Sequence, residues 1–232
     1  MKNSIVAWIK ECFKENGGDK AVVGISGGKD SSVVAALCVQ ALGRENVIGV
    51  LMPQGVQPDI DCAYDLTEFL GIEYKEVNIG STVAVLSDAI GTVIPQAIIN
   101  IPPRVRMTVL YAVAAEINGR VANTCNCSED YVGYSTKYGD SAGDFSPLGA
   151  LTVTEVLRLG EQLDLPHKLL YKVPADGLTG KTDEENLGFT YEVLDEYIRK
   201  GICPDAAVKA KIDILHQKNL HKIRPIPTFK PH

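Results

Sequence analysis

The stretch Ala21-Val22-Val23-Gly24-Ile25-Ser26-Gly27-Gly28-Lys29-Asp30-Ser31-Ser32 decides the fold. Residues 21–25 are a short, unbroken apolar run, the pattern of a strand buried on both faces. Residues 33, 34, 37, 38, 41 and 42 are apolar at helical spacing, which predicts a helix over Ser31–Leu42 ended by Gly43. Between strand and helix, two adjacent glycines permit a sharp turn with inward-facing N–H groups, where the helix's own first amides lack partners. Such a turn is an anion cradle. Ser26, Ser31 and Ser32 add hydroxyl donors, and Lys29 adds a charge if it faces the ligand. A bare carboxylate at Asp30 would repel a phosphate, which leaves Asp30 as helix N-cap or as holder of a cation. The spacing fits neither G-x-x-x-x-G-K-[ST] nor G-x-G-x-x-G, so the Walker and dinucleotide loops are excluded.

Outward from this turn the pattern repeats. A strand is predicted at Val47–Met52, a helix at about Asp59–Leu70 and a strand at Glu73–Val77, a β-α-β-α-β order that implies an α/β fold, a parallel sheet with helices on both faces. Helical patterns follow at Ser81–Ile90 and Arg104–Ile117. In the latter, Met107, Leu110, Tyr111, Ala114 and Ile117 share one face; a strand is predicted at Arg120–Thr124. The stretch Asn126–Pro147 is rich in Gly, Ser, Asp and Tyr and reads as a long loop, a kind that is normally functional in a compact domain. Thr152…Glu155 and Thr182…Glu185 have capping-box spacing, and helices near Tyr191–Arg199 and Asp205–Gln217 complete the chain. With no repeat and no dividing linker, residues 1–232 are expected to form a single domain.

Composition narrows the function. A hydrophobic fraction of 45% with 22% charged residues excludes disordered and low-complexity classes. A net charge of −6 argues against a general nucleic-acid binder, so an anionic ligand needs a locally basic pocket. Residues 206–232 are locally basic: Lys209, Lys211, Lys218, Lys222, Arg224 and Lys230 face one acid, Asp213. Charge runs of this kind are often a solvated tail. Residues 1–14 read as an amphipathic helix and not a signal peptide, and no run approaches a membrane span; no membrane association and a cytoplasmic location are expected. The six cysteines are expected as free thiols, and Cys125-x-Cys127 lacks the spacing of zinc sites or redox dithiols.

The S-G-G-K-D-S turn after the first strand resembles the pyrophosphate loop of ATP pyrophosphatases, the PP-loop or adenine nucleotide alpha-hydrolase-like fold. Four further segments resemble ammonia-dependent NAD synthetases. They are Asn100–Met107, Asn123-Thr124-Cys125-Asn126-Cys127-Ser128-Glu129, Gly133-Tyr134-Ser135-Thr136-Lys137-Tyr138-Gly139-Asp140, and Asp183–Gly188 taken with His221-Lys222. The resemblance runs from about Lys20 to Pro227.

It implies conversion of deamido-NAD (nicotinic acid adenine dinucleotide) to NAD: the acid attacks the α-phosphorus of ATP, pyrophosphate leaves, and ammonia displaces AMP from the acyl adenylate. It implies Mg²⁺ on Asp30 and Glu129, with Lys29 also catalytic. Gly24, Ile25, Ser26, Gly27, Gly28, Lys29, Asp30 and Ser31 would surround the ATP phosphates. Leu51, Met52 and Gln57 would line the adenosine pocket, and Thr124 would contact ATP. Arg104, Lys137, Asp144, His221 and Lys222 would hold deamido-NAD, so that the basic segment at about 206–232 completes the dinucleotide site.

The family's pattern departs at Val153 and Ala175, where lysine and threonine or serine are usual, and Lys172 or Lys181 are candidates for the missing charge. Free ammonia is expected as nitrogen donor because no glutaminase domain precedes the loop. A homodimer is expected as in the family, with the Met107–Ile117 helix as candidate interface. Two other readings compete: a pyrophosphatase relative acting on a tRNA base, which would give Cys125 and Cys127 a purpose, and a non-catalytic nucleotide-binding module.

Overall fold

The computed structural model describes residues 1–172 and 182–230. After helix α1 (Lys2–Asn16) come β1 (Lys20–Gly24), α2 (Lys29–Leu42), β2 (Val47–Leu51), α3 (Asp61–Leu70), β3 (Glu73–Glu76), α4 (Gly80–Ile90), α5 (Pro95–Ile99), α6 (Ile101–Glu116) and β4 (Gly119–Ala122). The second half is helical among the described residues: α7 (Cys127–Val132), α8 (Val153–Gln162), α9 (His167–Leu170), α10 (Asp183–Leu187), α11 (Tyr191–Lys200) and α12 (Ala206–Ile223). The four strands form one parallel sheet in the order β3-β2-β1-β4.

Strand alternation sorts the core into two layers. Ala21, Val23, Val47, Leu51 and Ala122 face α2 and α8, packing on Leu37, Val156 and Leu159. Val22, Val50 and Val121 face the opposite way, onto Val83 of α4 and Val105, Leu110 and Val113 of α6. Both faces are covered, which explains why β1 and β2 read as near-continuous apolar runs. β3 is the exception. Its four residues, Glu73-Tyr74-Lys75-Glu76, are all exposed, a charged edge that discourages pairing with another chain.

The chain passes from β1 outward to β2 and β3, then returns to place β4 on the other side of β1. The order reverses beside β1, and in open α/β sheets ligands bind off the carboxyl ends at such a reversal. The turn at Gly24–Lys29 leaves the sheet there.

Four expectations are corrected. The stretch 126–147 is not all loop: it contains α7 and a parallel bridge between Ala122 and Phe145. The short helix α5 was not foreseen. The apolar face of α6 is used by the core, with Met107, Leu110 and Ala114 buried, while Tyr111 is exposed; that face is therefore not free for an interface. Finally, α12 runs past the expected end at Gln217 to Ile223, which puts His221 and Lys222 on its last turn. A third apolar cluster, including Val132, Leu187, Leu194 and Ile212, ties α7, α10, α11 and α12 together and so docks that helix against the domain.

Candidate active site

Gly27 adopts φ 77°, and a Cβ there would approach Cys62 Cβ to 2.7 Å and the Ala63 nitrogen to 2.9 Å, so the turn needs glycine for both conformation and space. The turn is braced from within. Ser26 and Ser31 hydroxyls lie 3.1 Å apart, the Gly28 amide donates to Ser26 Oγ at 3.3 Å, and Ser31 and Ser32 hydroxyls donate to the Gly28 carbonyl at 3.1 and 2.8 Å. The N-cap of α2 is Gly28, with no side-chain cap, so its first amides stay available to an anion. Of the two roles open to Asp30, helix capping is excluded.

Asp30 instead meets its counterpart across the sheet edge. Its Oδ2 accepts from Lys29 Nζ at 2.8 Å and its Oδ1 from Asn126 Nδ2 at 3.0 Å. Asn126 is fully buried and caps α7, accepting from the Glu129 amide at 3.0 Å, while Glu129 Oε2 accepts from the Asn126 amide at 3.3 Å. One asparagine therefore holds both acids. Burial first, then the neighbouring Asp30, pushes Glu129 well above the usual carboxylate range against the pull of Lys29. Burial would depress Lys29, but Asp30 and Glu129 outweigh it and keep the ammonium charged. α10 and α11 border this group: Lys29 Nζ lies 5.9 Å from the centre of the Tyr191 ring, and burial raises Asp183, which also senses Lys29 and Asp30.

Asn126 and Asp183 carried no role in the sequence reading, although the signal for Asn126 was present: asparagine three residues before glutamate is a capping-box signature.

Two carboxyl groups beside one lysine, the second disfavoured as an anion by burial and by the first, suit a cation that would offset their charge. Among the described residues no cluster of three or more His, Cys, Asp or Glu is arranged for metal binding. A pair of carboxylates suits Mg²⁺, which fills its other positions with water and substrate phosphate, and does not suit structural zinc. The residues present fit the ion.

On the nucleotide side, Leu51 is buried in the core and can offer only backbone, while its carbonyl accepts from the Val77 amide at 2.8 Å. Met52 is buried beside Gly24, and Gln57 is partly exposed in the following loop. Asn78 fixes that loop through reciprocal bonds to Gly55 N and O at 3.0 and 2.9 Å. Thr124 follows β4, partly exposed.

The residues expected to hold the acid substrate form a second group. Lys137 Nζ donates to the His221 carbonyl at 2.6 Å, Lys222 Nζ to the Gly133 and Ser135 carbonyls at 2.6 and 2.8 Å, and Arg104 Nε to the Lys137 carbonyl at 3.2 Å. The His221 ring lies at the exposed end of α12, 3.1 Å from the Lys218 carbonyl. Asp144 accepts from the Val121 amide at 2.7 Å, which pins the segment to β4. A cavity of about 400 Å³ opens here, lined by Asn123, Asp130, Asp144, Ser146 and Lys222 among others. Burial lifts Asp130 to about 6 and pulls Lys222 down.

Val153 is buried, its amide donating to Ser128 Oγ at 3.1 Å; Lys172 pairs with Asp59. Ala175 and Lys181 lie outside the described residues. Burial raises the thiols of Cys125 and Cys127, and Cys125 is buried with its Sγ donating to the Asp140 carbonyl at 3.3 Å, a packing role.

A parallel α/β sheet with a glycine-rich anion turn at its reversal point and two acids beside it defines a nucleotide-binding enzyme of the pyrophosphate-loop class. The chain belongs to the NAD synthase family, whose profile it matches over residues 1–230. It is 42% identical over 225 residues to an NH(3)-dependent NAD(+) synthetase of Archaeoglobus fulgidus, covering 94% of this chain and 91% of that one. An enzyme of the same description from Methanocaldococcus jannaschii is 41% identical over 215 residues, 88% and 82% of the two chains. Among solved structures, the NMN synthetase of Francisella tularensis superposes with a TM-score of 0.90 at 33% identity, covering 98% of this chain and 96% of the other. The NH3-dependent NAD synthetase of Campylobacter jejuni, in complex with nitrate, gives 0.81 at 30% identity, covering 99% and 97%.

Proposed function

We propose that this chain is a ligase that amidates deamido-NAD with ammonia, consuming ATP and releasing AMP, pyrophosphate and NAD. A carboxylate is a poor electrophile, so it is first adenylated: one of its oxygens bonds to the α-phosphorus and pyrophosphate departs with the electron pair of the broken bond. Ammonia then bonds to the acyl carbon, AMP leaves, and a proton is released. In both steps the protein's task is to align polyanions and to stabilise the charge that develops.

The turn Gly24–Ser31 takes the phosphates on its free amides, with Leu51, Met52, Gln57 and Thr124 around the rest of the nucleotide. Asp30 and Glu129 would hold Mg²⁺, which would supply charge neutralisation on the triphosphate. Lys29 keeps the acid pair together and adds positive charge at the phosphates. Arg104, Lys137, Asp144, His221 and Lys222 form the acid-substrate wall, and the end of α12 completes a single domain spanning the chain. The observation that carries this reading is Asn126, which ties a carboxylate of the phosphate turn to the helix bearing the second acid.

Ammonia as donor is supported by the relatives described as NH(3)-dependent. A homodimer is supported by exposed apolar side chains on α4, on α5 and between them, Val85, Ile90, Val93, Ile94 and Ile99. Among the described residues no helix is long and apolar enough to cross a membrane.

A second reading has its own support. The backbone superposes at 0.90 on a structure described as an NMN synthetase, which makes the corresponding mononucleotide acid the alternative substrate to test. Purified protein given ATP, Mg²⁺ and ammonium, with each acid in turn, separates the two. Equal yields of AMP and NAD from deamido-NAD support the first reading, and preferential amidation of the mononucleotide supports the second. AMP release with neither acid removes both.

A further inference from the structure

Arg106 is the cation that neither substrate side accounts for. α6 precedes β4 and runs antiparallel to it, so its first turns lie at the carboxyl edge of the sheet. Arg106 reaches across that edge and donates from Nε to the Met52 carbonyl at 3.2 Å. One turn further along, Leu110 packs where a Cβ on Gly24 would stand, 3.3 Å away, so α6 passes directly over the start of the phosphate turn. From the other side, Asn100 at the start of α6 accepts from Thr136 Oγ1 at 2.9 Å, and the Thr136 amide donates to Asp140 at 2.9 Å. Arg106 therefore lies between the nucleotide loop at Met52 and the segment that carries Lys137 and Asp144.

It is also unpaired. Among the described residues no carboxylate lies within ion-pair distance of its guanidinium, and Met52 is its one recorded hydrogen-bond partner. Burial pulls its pKa below the usual arginine value, with only the more distant Asp140 opposing. A half-buried cation without a counter-charge is a cost to the folded state unless a ligand provides the charge.

We infer that the Arg106 guanidinium takes the oxyanion of the adenylation step, the α-phosphate oxygens on which charge grows as the acid's carboxylate attacks and pyrophosphate leaves. The inference rests on the adenylating chemistry proposed above, and holds for either acid. Nε is engaged by Met52, which fixes the plane of the fork and leaves the terminal NH2 groups for two phosphate oxygens, a geometry lysine cannot reproduce.

Exchange of labelled pyrophosphate into ATP, with acid substrate but no ammonium, isolates this step. Arg106→Gln is expected to lose about a hundredfold or more in exchange rate while binding a fluorescent ATP analogue within about threefold of wild type. Arg106→Lys, which keeps the charge but not the fork, is expected to lose about tenfold. Methylguanidinium should restore exchange to folded Arg106→Ala, a rescue that a purely structural arginine would not permit.

Wild-type exchange in Arg106→Gln, a loss matched by equal loss of ATP affinity, or folded Arg106→Ala without rescue each overturns the assignment. If Arg106→Gln does not fold, Arg106→Lys decides by the same measure. A wild-type enzyme inert toward both acids removes the functional reading itself, a result distinct from an active enzyme indifferent to Arg106.

Discussion

The two sides of the site are built in different ways. The nucleotide side is backbone: a glycine turn leaving β1, unpaired amides of α2, and two acids fixed by one buried asparagine. The acid-substrate side is side chain on carbonyl: Lys137 on His221, Lys222 on Gly133 and Ser135, Arg104 on Lys137. The first needs no rearrangement to receive an anion. The second uses its cations to hold the segment 133–144 to α12, and binding an anion must redirect them. Preorganised donors contribute most to the chemical step, whereas groups that must reorient contribute chiefly to binding.

This difference can be broken by substitution. Asp30→Asn or Glu129→Gln should each lower the rate of AMP release by about a thousandfold, with the fold intact by circular dichroism. Asn126→Asp retains an N-cap acceptor but can no longer donate to Asp30 and adds a third negative charge. A third carboxylate in this buried position should lower the melting temperature, and turnover should fall about ten- to a hundredfold, as it does when outer-shell partners are lost. Gly27→Ala places a Cβ against Cys62 at a positive φ and should cost about 1–3 kcal/mol in a denaturant melt, with weaker ATP binding. Lys222→Met should be mildest on chemistry: KM for the acid rises about tenfold while kcat and ATP affinity change little. A drop in kcat as large as that of the acid variants would show that the two sides do not differ.

How far the sequence reveals each side follows from the same contrast. The strand–turn–helix at Ala21–Leu42 was legible because periodicity and adjacent glycines are local signals. So were the capping boxes at Thr152 and Thr182, both of which form. Asn126 shows the limit: its cap is local and readable, but its bond to Asp30, 96 residues away in sequence, depends on sheet order. Arg106 stands in the sequence only as part of the segment Asn100–Met107, because nothing local says that its helix lies over Gly24 and Met52. Tyr111 matched the apolar spacing of α6 yet is exposed, its hydroxyl 3.4 Å from Asp144. The basic stretch 206–232 is ambiguous by charge alone and reads as a wall of the site only through the resemblance at His221-Lys222; that α12 docks through Ile212 depends on tertiary packing.

The central claim is that Asp30 and Glu129 form one unit, held together by Asn126 for a single ion. A double-variant cycle tests it most directly: AMP release by Asp30→Asn, Glu129→Gln and the pair together, at saturating ATP and Mg²⁺. Residues acting as a unit lose their function once. The double variant is expected to be no slower than the slower single variant, within about threefold. Losses that multiply, so that the double variant falls by the product of the two single effects, would mean that the acids act independently, and would contradict the shared site.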